Sequence, residues 1–252
     1  MYKKKLNYLK KLSHLFQNLG IKKNDNVILH FNFAGLMQFS KNQTKVSKDL
    51  LSFLKRYLGP ESTILIPTYN YDFSRGKIYN RKLSPSHVGL LGNILIKKYF
   101  RNRTYEPIFN HIVFGNAKRE IFKCSTIEAF GPKSIFEFMR KKNFKIICFC
   151  CSPTTVTFLH YIENVNKVSY RFEKKFTGKI IFNRKKIPIN YKYYVGKKHI
   201  NYIVKNKKIL KIFKKKPAKI SRFGKFECYS IGSKALYNIV SRKIKNNERY
   251  LI

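Results

Sequence analysis

KIICFCCSPTTVTFLHYIEN, residues 145–164, decides the fold. Lys145–Cys150 is an apolar run of strand length, and a helix follows from about Thr154 to Asn164. A buried strand leading directly into a helix is the building unit of an α/β layer. Working outward, the same alternation recurs. Toward the N-terminus, Leu6, Leu9, Leu12, Leu15, Phe16 and Leu19 fall at helical spacing, with Gly20 placed to stop the helix. Asn24-Asp25-Asn26 makes a turn before a buried strand, Val27-Ile28-Leu29-His30-Phe31. A helix over about 44–58 closes at Gly59-Pro60, and Thr63–Ile66 is a second strand, stopped by Pro67. Thr68–Gly89 is rich in Tyr, Asn, Ser and Pro and reads as a long functional loop. A helix over 88–100, a strand near Phe109–Phe114 and a short helix over 133–141 complete the stretch before Lys145. After Val168 the pattern shortens into strands and turns, with a last helix over Ser233–Lys245. The expected class is therefore α/β: one layered domain over 1–252, with a strand-rich segment over 170–230 packed on the main layer.

Composition bounds the function. The chain has 252 residues, with 54 Lys+Arg against 12 Asp+Glu, a formal charge of +42. Its 44% hydrophobic content is sufficient for a sizeable core and excludes wholesale disorder. Absence of Trp beside abundant Lys, Asn, Ile, Tyr and Phe is the pattern of an AT-rich coding sequence, which raises lysine without selecting for a partner. No apolar run approaches the roughly 18 residues of a membrane-spanning helix, and the basic N-terminus lacks a continuous hydrophobic segment. A cytoplasmic protein is expected. Five cysteines, three of them within Cys148–Cys151, read as reduced thiols in a buried strand. Cys148 and Cys151 have CxxC spacing without a second pair, so no metal site is expected.

Chemistry concentrates in Thr157-Phe158-Leu159-His160-Tyr161-Ile162-Glu163. On a helix, His160 and Glu163 are neighbours on one face, where a carboxylate can fix the imidazole tautomer and raise its basicity. Thr157, about one turn earlier, could turn its hydroxyl to the same place. Spacing alone equally permits a surface pair on an amphipathic helix. Asp72, Glu106 and Glu163 stand out because acids are scarce: they could hold substrate ammonium groups or form ordinary salt bridges.

The motifs in chain order resemble the aminoglycoside 3-N-acetyltransferase family. They begin with Gly20–His30 and Gly59–Thr68, and continue with Ser84-Pro85-Ser86-His87-Val88-Gly89. Arg103-Thr104-Tyr105-Glu106-Pro107 with Gly115 and Phe130-Gly131-Pro132-Lys133-Ser134 follow, and Thr157, His160 and Glu163 match the family's T-x-LH-x-xE. Val168–Phe172 and Phe176-Thr177-Gly178 look more like members from surface-sugar gene sets than like resistance enzymes. The resemblance covers roughly 20–180. It implies an acetyl-CoA-dependent N-acetyltransferase, with His160 as general base and Glu163 orienting it. It also implies that His30, Asn32, Thr68, Tyr69 and Thr157 lie near the pantetheine arm and thioester, and that Arg103, Thr104 and Ser134 address the CoA phosphates. The chain departs from the family where Asn32 and Asn110 replace common serines and Asn24 replaces a turn glycine.

Two acceptors fit this reading. A nucleotide-linked or surface-polysaccharide amino sugar is favoured by charge, since a +42 protein attracts an anion and has few acids with which to build a pocket for a polycation. An aminoglycoside is the alternative. The rival class is a basic nucleic-acid-binding protein, using the basic run 197–216 with Tyr202 and Phe213. No recognition signature accompanies that run, and the lysines are spread along the chain, so no specific nucleic-acid partner is expected. The basic first helix could also give weak association with anionic membranes.

Overall fold

The computed structural model describes residues 2–198 and 203–252; Tyr202 of the basic run lies outside the described residues. In chain order the strands are β1 (Val27–Phe31), β2 (Thr63–Pro67), β3 (His111–Gly115), β4 (Lys145–Phe149), β5 (Arg171–Phe182), β6 (Lys185–Gly196), β7 (Lys219–Phe223) and β8 (Phe226–Gly232). The helices are α1 (Tyr2–Asn18), α2 (Ala34–Met37), α3 (Gln43–Leu58), α4 (Leu90–Tyr99), α5 (Lys118–Phe122), α6 (Ile135–Lys141), α7 (Phe158–Val165), α8 (Ile203–Phe213) and α9 (Ser233–Asn246). The α/β class expected from the strand-then-helix alternation is the class observed.

Side chains alternate across a strand, so each strand sends every second residue to the same face. Val27, Leu29, Ile64, Ile66, Ile147 and Phe149 pack with α1, α3 and α4, whereas Ile28, Leu65, Ile146 and Cys148 pack with α6, α7 and α9. The main sheet has the order β3-β2-β1-β4-β8-β7. Its centre is parallel, β1 pairing with β2 and with β4, and antiparallel partners flank it on both sides. From β1 the chain crosses first to one side, to β2, and later returns to the other, to β4. The crevice beyond the carboxyl ends of β1 and β4 is therefore a topological switch point, where open α/β sheets bind ligands.

Leu12, Leu15, Phe16 and Leu19 are buried to 1% exposure or less. Burial of such side chains contributes about 1.5–3 kcal/mol each, so this face is committed to the core. The weak membrane association expected of the first helix finds no apolar face here among these residues.

Residues 170–230 do not form one strand-rich unit. The β5–β6 hairpin is a separate two-stranded sheet, whereas β7 and β8 complete the edge of the main sheet. Asn183-Arg184 turns the hairpin with φ of 48° and 65°, the left-handed pair that a two-residue turn needs to match strand twist. Tyr191 is fully buried, and Tyr79 forms an isolated bridge with Ile180, fixing the hairpin to the long loop. The basic run contains a helix, α8, in place of strands and turns. Ile209, Ile212 and Phe213 bury its inner face, an amphipathic signal diluted by the surrounding lysines.

Candidate active site

The helix expected from Thr154 starts later. Ser152 accepts a hydrogen bond from the Thr154 N–H at 3.3 Å and opens a single 3₁₀ turn, Pro153–Thr155. Val156 is then extended, with φ −72° and ψ 100°, and α7 begins at Phe158. This break lays Thr154, Thr155 and Thr157 along the wall of a cavity at the switch point. The cavity holds about 440 Å³ and is walled by the ends of β1 and β2, the loop carrying Tyr69 and Tyr71, the start of α4, and Cys151 through His160.

His160 sits on this wall, one-third exposed, and its Nδ1 lies 2.9 Å from Oε2 of Glu163, which is fully buried. A carboxylate only accepts, so Nδ1 carries the proton, and Nε2 becomes the basic nitrogen. Glu163 is itself held on three sides: Oε2 also lies 2.8 Å from Arg171 Nε in an ion pair, and Oε1 takes the Tyr170 hydroxyl at 3.1 Å. Buried beside a guanidinium, this carboxylate can steady an imidazolium without taking its proton. The sequence pointed to the His160–Glu163 pair; Arg171 lies within the Val168–Phe172 motif but carried no assigned role there. The chain reverses after α7 at Lys167, φ 49°, which returns it to the level of Glu163.

Of the other residues that the resemblance implicated, His30, Tyr69 and Thr157 line the same cavity. His30 is 7% exposed, and its Nε2 is buried without a hydrogen-bond partner. Burial lowers its pKa to about 4, so the ring is neutral. Tyr69 is buried, which pushes its phenol well above the usual range, and it meets His111 Nε2 at 3.3 Å. His111 is fully buried, with its pKa lowered to about 3 by burial and by the proximity of His30.

Arg103, Thr104, Thr68 and Ser134 are not brought to the cavity. Arg103 is fully buried, donating to Asn110 Oδ1 at 2.7 Å and to the carbonyls of Thr68 (2.7 Å), Ser84 (2.5 Å) and Arg81 (3.2 Å). A guanidinium occupied in this way has no fork to offer a phosphate, and the expected phosphate contact gives way to a staple of the long loop. Thr68 donates to Asn110 Oδ1 at 2.8 Å, so Asn110 completes that staple. Thr104 Oγ1 accepts from His111 N at 3.1 Å, and Ser134 caps α6 by accepting from Glu137 N at 3.2 Å. Asn32 is exposed and caps Ala34 N at 2.9 Å. An Arg103→Met variant leaves three buried carbonyls unsatisfied, at about 1–3 kcal/mol each; chemical denaturation is expected to show at least the low end of that sum.

Among the described residues no carboxylate lines the cavity. Asp72 has ion-pair contacts with Lys77 (3.6 Å), Arg75 (3.8 Å) and His87 (3.9 Å). Glu106 is buried against the Tyr191 hydroxyl, and burial raises its pKa to about 7. Of the cysteine cluster, Cys148 and Cys150 are buried as expected, but Cys151 is half-buried and lines the cavity. Among the described residues no group of three or more His, Cys, Asp or Glu side chains is arranged to hold a metal ion.

These groups set the pH dependence of stability. His30 and His111 have folded pKa values below the unfolded 6.5, so only the unfolded chain gains protons as the pH falls. Their contribution is present above pH 6.5 and is lost progressively toward about 3. Glu106 runs oppositely: its stabilising proton is lost as the pH rises from about 4.5 through about 7. Glu106→Gln removes that opposing slope, so its melting temperature is expected to climb more steeply than that of the wild type between pH 5 and pH 7. Parallel profiles for the two proteins would contradict this assignment.

The cavity suits the acetylated end of acetyl-CoA. Phe31, Ile66, Pro67, Val88 and Leu91 give the cavity apolar walls, and His30, Tyr69, Thr157 and His160 add polar groups to its lining.

Solved structures share this architecture. AAC-IIIb in binary complex with CoASH superposes with a TM-score of 0.79 at 11% identity, over 94% of this chain and 96% of that one. AAC-VIa bound to sisomicin gives 0.78 at 13%, over 94% and 97%. The YokD protein from Bacillus subtilis gives 0.79 at 14%, over 96% and 94%. At such identities the likeness establishes the fold. No curated protein sequence matches the chain significantly. The model of the aminoglycoside 3-N-acetyltransferase family matches residues 28–245, spanning the cavity, the His160–Glu163 pair and the hairpin. The chain belongs to that family and is an acetyl-CoA-dependent N-acetyltransferase.

Proposed function

We propose that the chain acetylates an amino group of an aminoglycoside-type amino sugar, with His160 as general base and Glu163 as its orienting carboxylate. The observation that supports this most is the 2.9 Å Nδ1–Oε2 contact in the wall of the switch-point cavity. An amine attacks a thioester carbonyl only after losing a proton. His160 Nε2 takes it, and the imidazolium so formed is balanced by Glu163. As the nitrogen attacks, negative charge grows on the carbonyl oxygen. Neutral His30, with its buried Nε2 lacking a partner, is suited to donate to that oxygen. His30→Phe is expected to lower kcat by about 10²–10³-fold in a coupled thiol-release assay. An unchanged kcat would remove His30 from this role.

The order of the two acceptors in the sequence reading is reversed. The family and a neighbour bound to sisomicin favour the aminoglycoside that stood second there. A nucleotide-linked or surface-polysaccharide amino sugar keeps one specific support, a cavity wall without a carboxylate to hold a polycation. Measuring kcat/KM for sisomicin against a nucleotide-linked amino sugar separates them. A higher value for sisomicin supports the proposal, and the opposite order gives the acceptor back to the anionic sugar. Among the described residues no helix is long and apolar enough to cross a membrane. Together with use of a soluble cosubstrate, this supports the cytoplasmic location expected from the sequence.

A further inference from the structure

The groove between α6 and α9 holds a second cavity, which acetyl transfer does not use. It has a volume of about 300 Å³ and is lined by Arg140, Lys141, Lys234, Tyr237 and Asn238. Lys234, Tyr237 and Asn238 fall at positions i, i+3 and i+4 of α9, so one face of its first two turns makes one wall. The last turn of α6 supplies Arg140 and Lys141 as the other. This cavity lies away from the switch point. From α6 the chain enters β4 at Lys145, which pairs with Gly232 just before α9 begins. Cys151, in the wall of the switch-point cavity, lies past the other end of β4. The five residues of β4 therefore stand between the two cavities, roughly 16 Å of extended chain.

The lining is that of an anion site. Three cations stand beside a phenol and an amide, both able to donate, and among the described residues no carboxylate lines the cavity. Glu137 of α6 accepts from Lys133 N at 2.8 Å and pairs with Lys141 at 3.2 Å, so Lys141 already has a counter-charge. Arg140 and Lys234 remain. The Arg140 guanidinium is held 4.7 Å from the centre of the Tyr237 ring, and that ring packs against Tyr161 with centres 6.1 Å apart. Arg140 Nε is shut off from water and lacks a hydrogen-bond partner. A guanidinium that has lost part of its hydration gains more from an incoming anion than a fully solvated lysine does, and an open buried donor is one of the marks of an ion site. Lys234 stands in the first turn of α9, where the positive end of the helix dipole adds to the same field. Together Arg140 and Lys234 match the charge of a phosphate group, which carries nearly two negative charges at neutral pH and accepts hydrogen bonds from a planar guanidinium.

We propose that the α6–α9 cavity is a phosphate-binding site, separate from the acetyl-transfer cavity, that takes either the free ion or the phosphate of a small phosphomonoester. The site stands on its own residues and does not depend on the acceptor or on the general base assigned above.

The test is calorimetric titration of inorganic phosphate and of glucose 6-phosphate into the full chain at fixed ionic strength. Because a cationic surface attracts any anion, the comparison is between two variants that each lose two positive charges. Arg140→Gln/Lys234→Gln alters the cavity, and Lys185→Gln/Lys186→Gln alters exposed residues at the start of β6. The wild type is expected to bind one phosphate saturably. The cavity variant is expected to bind at least about tenfold more weakly, the loss of one charge-assisted hydrogen bond, while the β6 variant binds as the wild type does. Lys234→Gln alone, which alters an exposed side chain, should weaken binding in the same direction and keeps the test open if the double variant fails to fold. Tighter binding of glucose 6-phosphate assigns the site to phosphomonoesters and tighter binding of inorganic phosphate to the free ion; both orders support a phosphate site. Equal losses in the two double variants, unchanged binding in Lys234→Gln, or binding that does not saturate overturns the proposal and leaves only surface charge. Acetyl-CoA affinity is expected to be the same in Lys234→Gln and wild type. A matching fall in acetyl-CoA affinity would make the cavity part of the cosubstrate site and overturn its separateness.

Discussion

His160→Ala is expected to lower kcat by about 10²–10⁴-fold, the range supplied by a positioned acid–base group. Acetyl-CoA affinity should change little, because the pantetheine arm is expected to rest mainly on the apolar wall formed by Phe31, Ile66, Pro67 and Leu91. The split between kcat and binding is what identifies a base. Loss of a binding contact would raise KM and leave kcat near the wild-type value. The pH profile adds a second readout. A rate limited by the imidazole falls on the acid side, and that limb should be absent from the residual activity of the variant. A His160→Ala enzyme with wild-type kcat would place the proton transfer elsewhere.

Glu163→Ala should be the most destabilising single change at the site. It removes a fully buried carboxylate and leaves Arg171, itself about nine-tenths buried, without its charge partner. Breaking a buried pair by deleting one side costs about 3–5 kcal/mol, which for a chain of this size lowers the melting temperature by about 10 °C. Tyr170 loses its acceptor at the same time. Glu163→Gln keeps the shape and an acceptor oxygen, so it should recover much of the stability. It should not recover activity, because a neutral amide cannot balance an imidazolium. Scanning calorimetry and initial rates on the two variants check both statements. Equal melting temperatures for Glu163→Ala and wild type would mean that the Glu163–Arg171 pair does not tie the hairpin to α7.

What the sequence disclosed follows from how local its physics is. The strand Lys145–Phe149 and the proximity of His160 and Glu163 depend on residues within a few positions of one another, so period and spacing sufficed. Glu163 looked the same whether it faced water or the core. Its burial depends on Arg171 from the hairpin, a contact that helical spacing cannot register. Arg103 was one cation among 54 until the folded loop surrounded it with Asn110 and three carbonyls. Burial and its hydrogen bonds give it a structural task in the long loop. Cys151 was grouped with its neighbours because an apolar run carries no sign of where its last residue turns. The left-handed Cys150 decides that, and left-handed conformations of cysteine have no sequence signature. Within α8 the apolar periodicity was present, but lysines on every side masked it.

The most direct test of the central claim is calorimetric titration of acetyl-CoA into wild type and His160→Ala at low and high salt, with thiol release and sisomicin acetylation measured on the same samples. The account predicts saturable one-to-one binding that survives high salt in both proteins, with turnover confined to the wild type. Any cationic protein binds a polyanion through its surface charge, and that attraction is screened by salt. Binding that disappears at high salt, or turnover that persists without His160, would contradict acetyl transfer from this cavity.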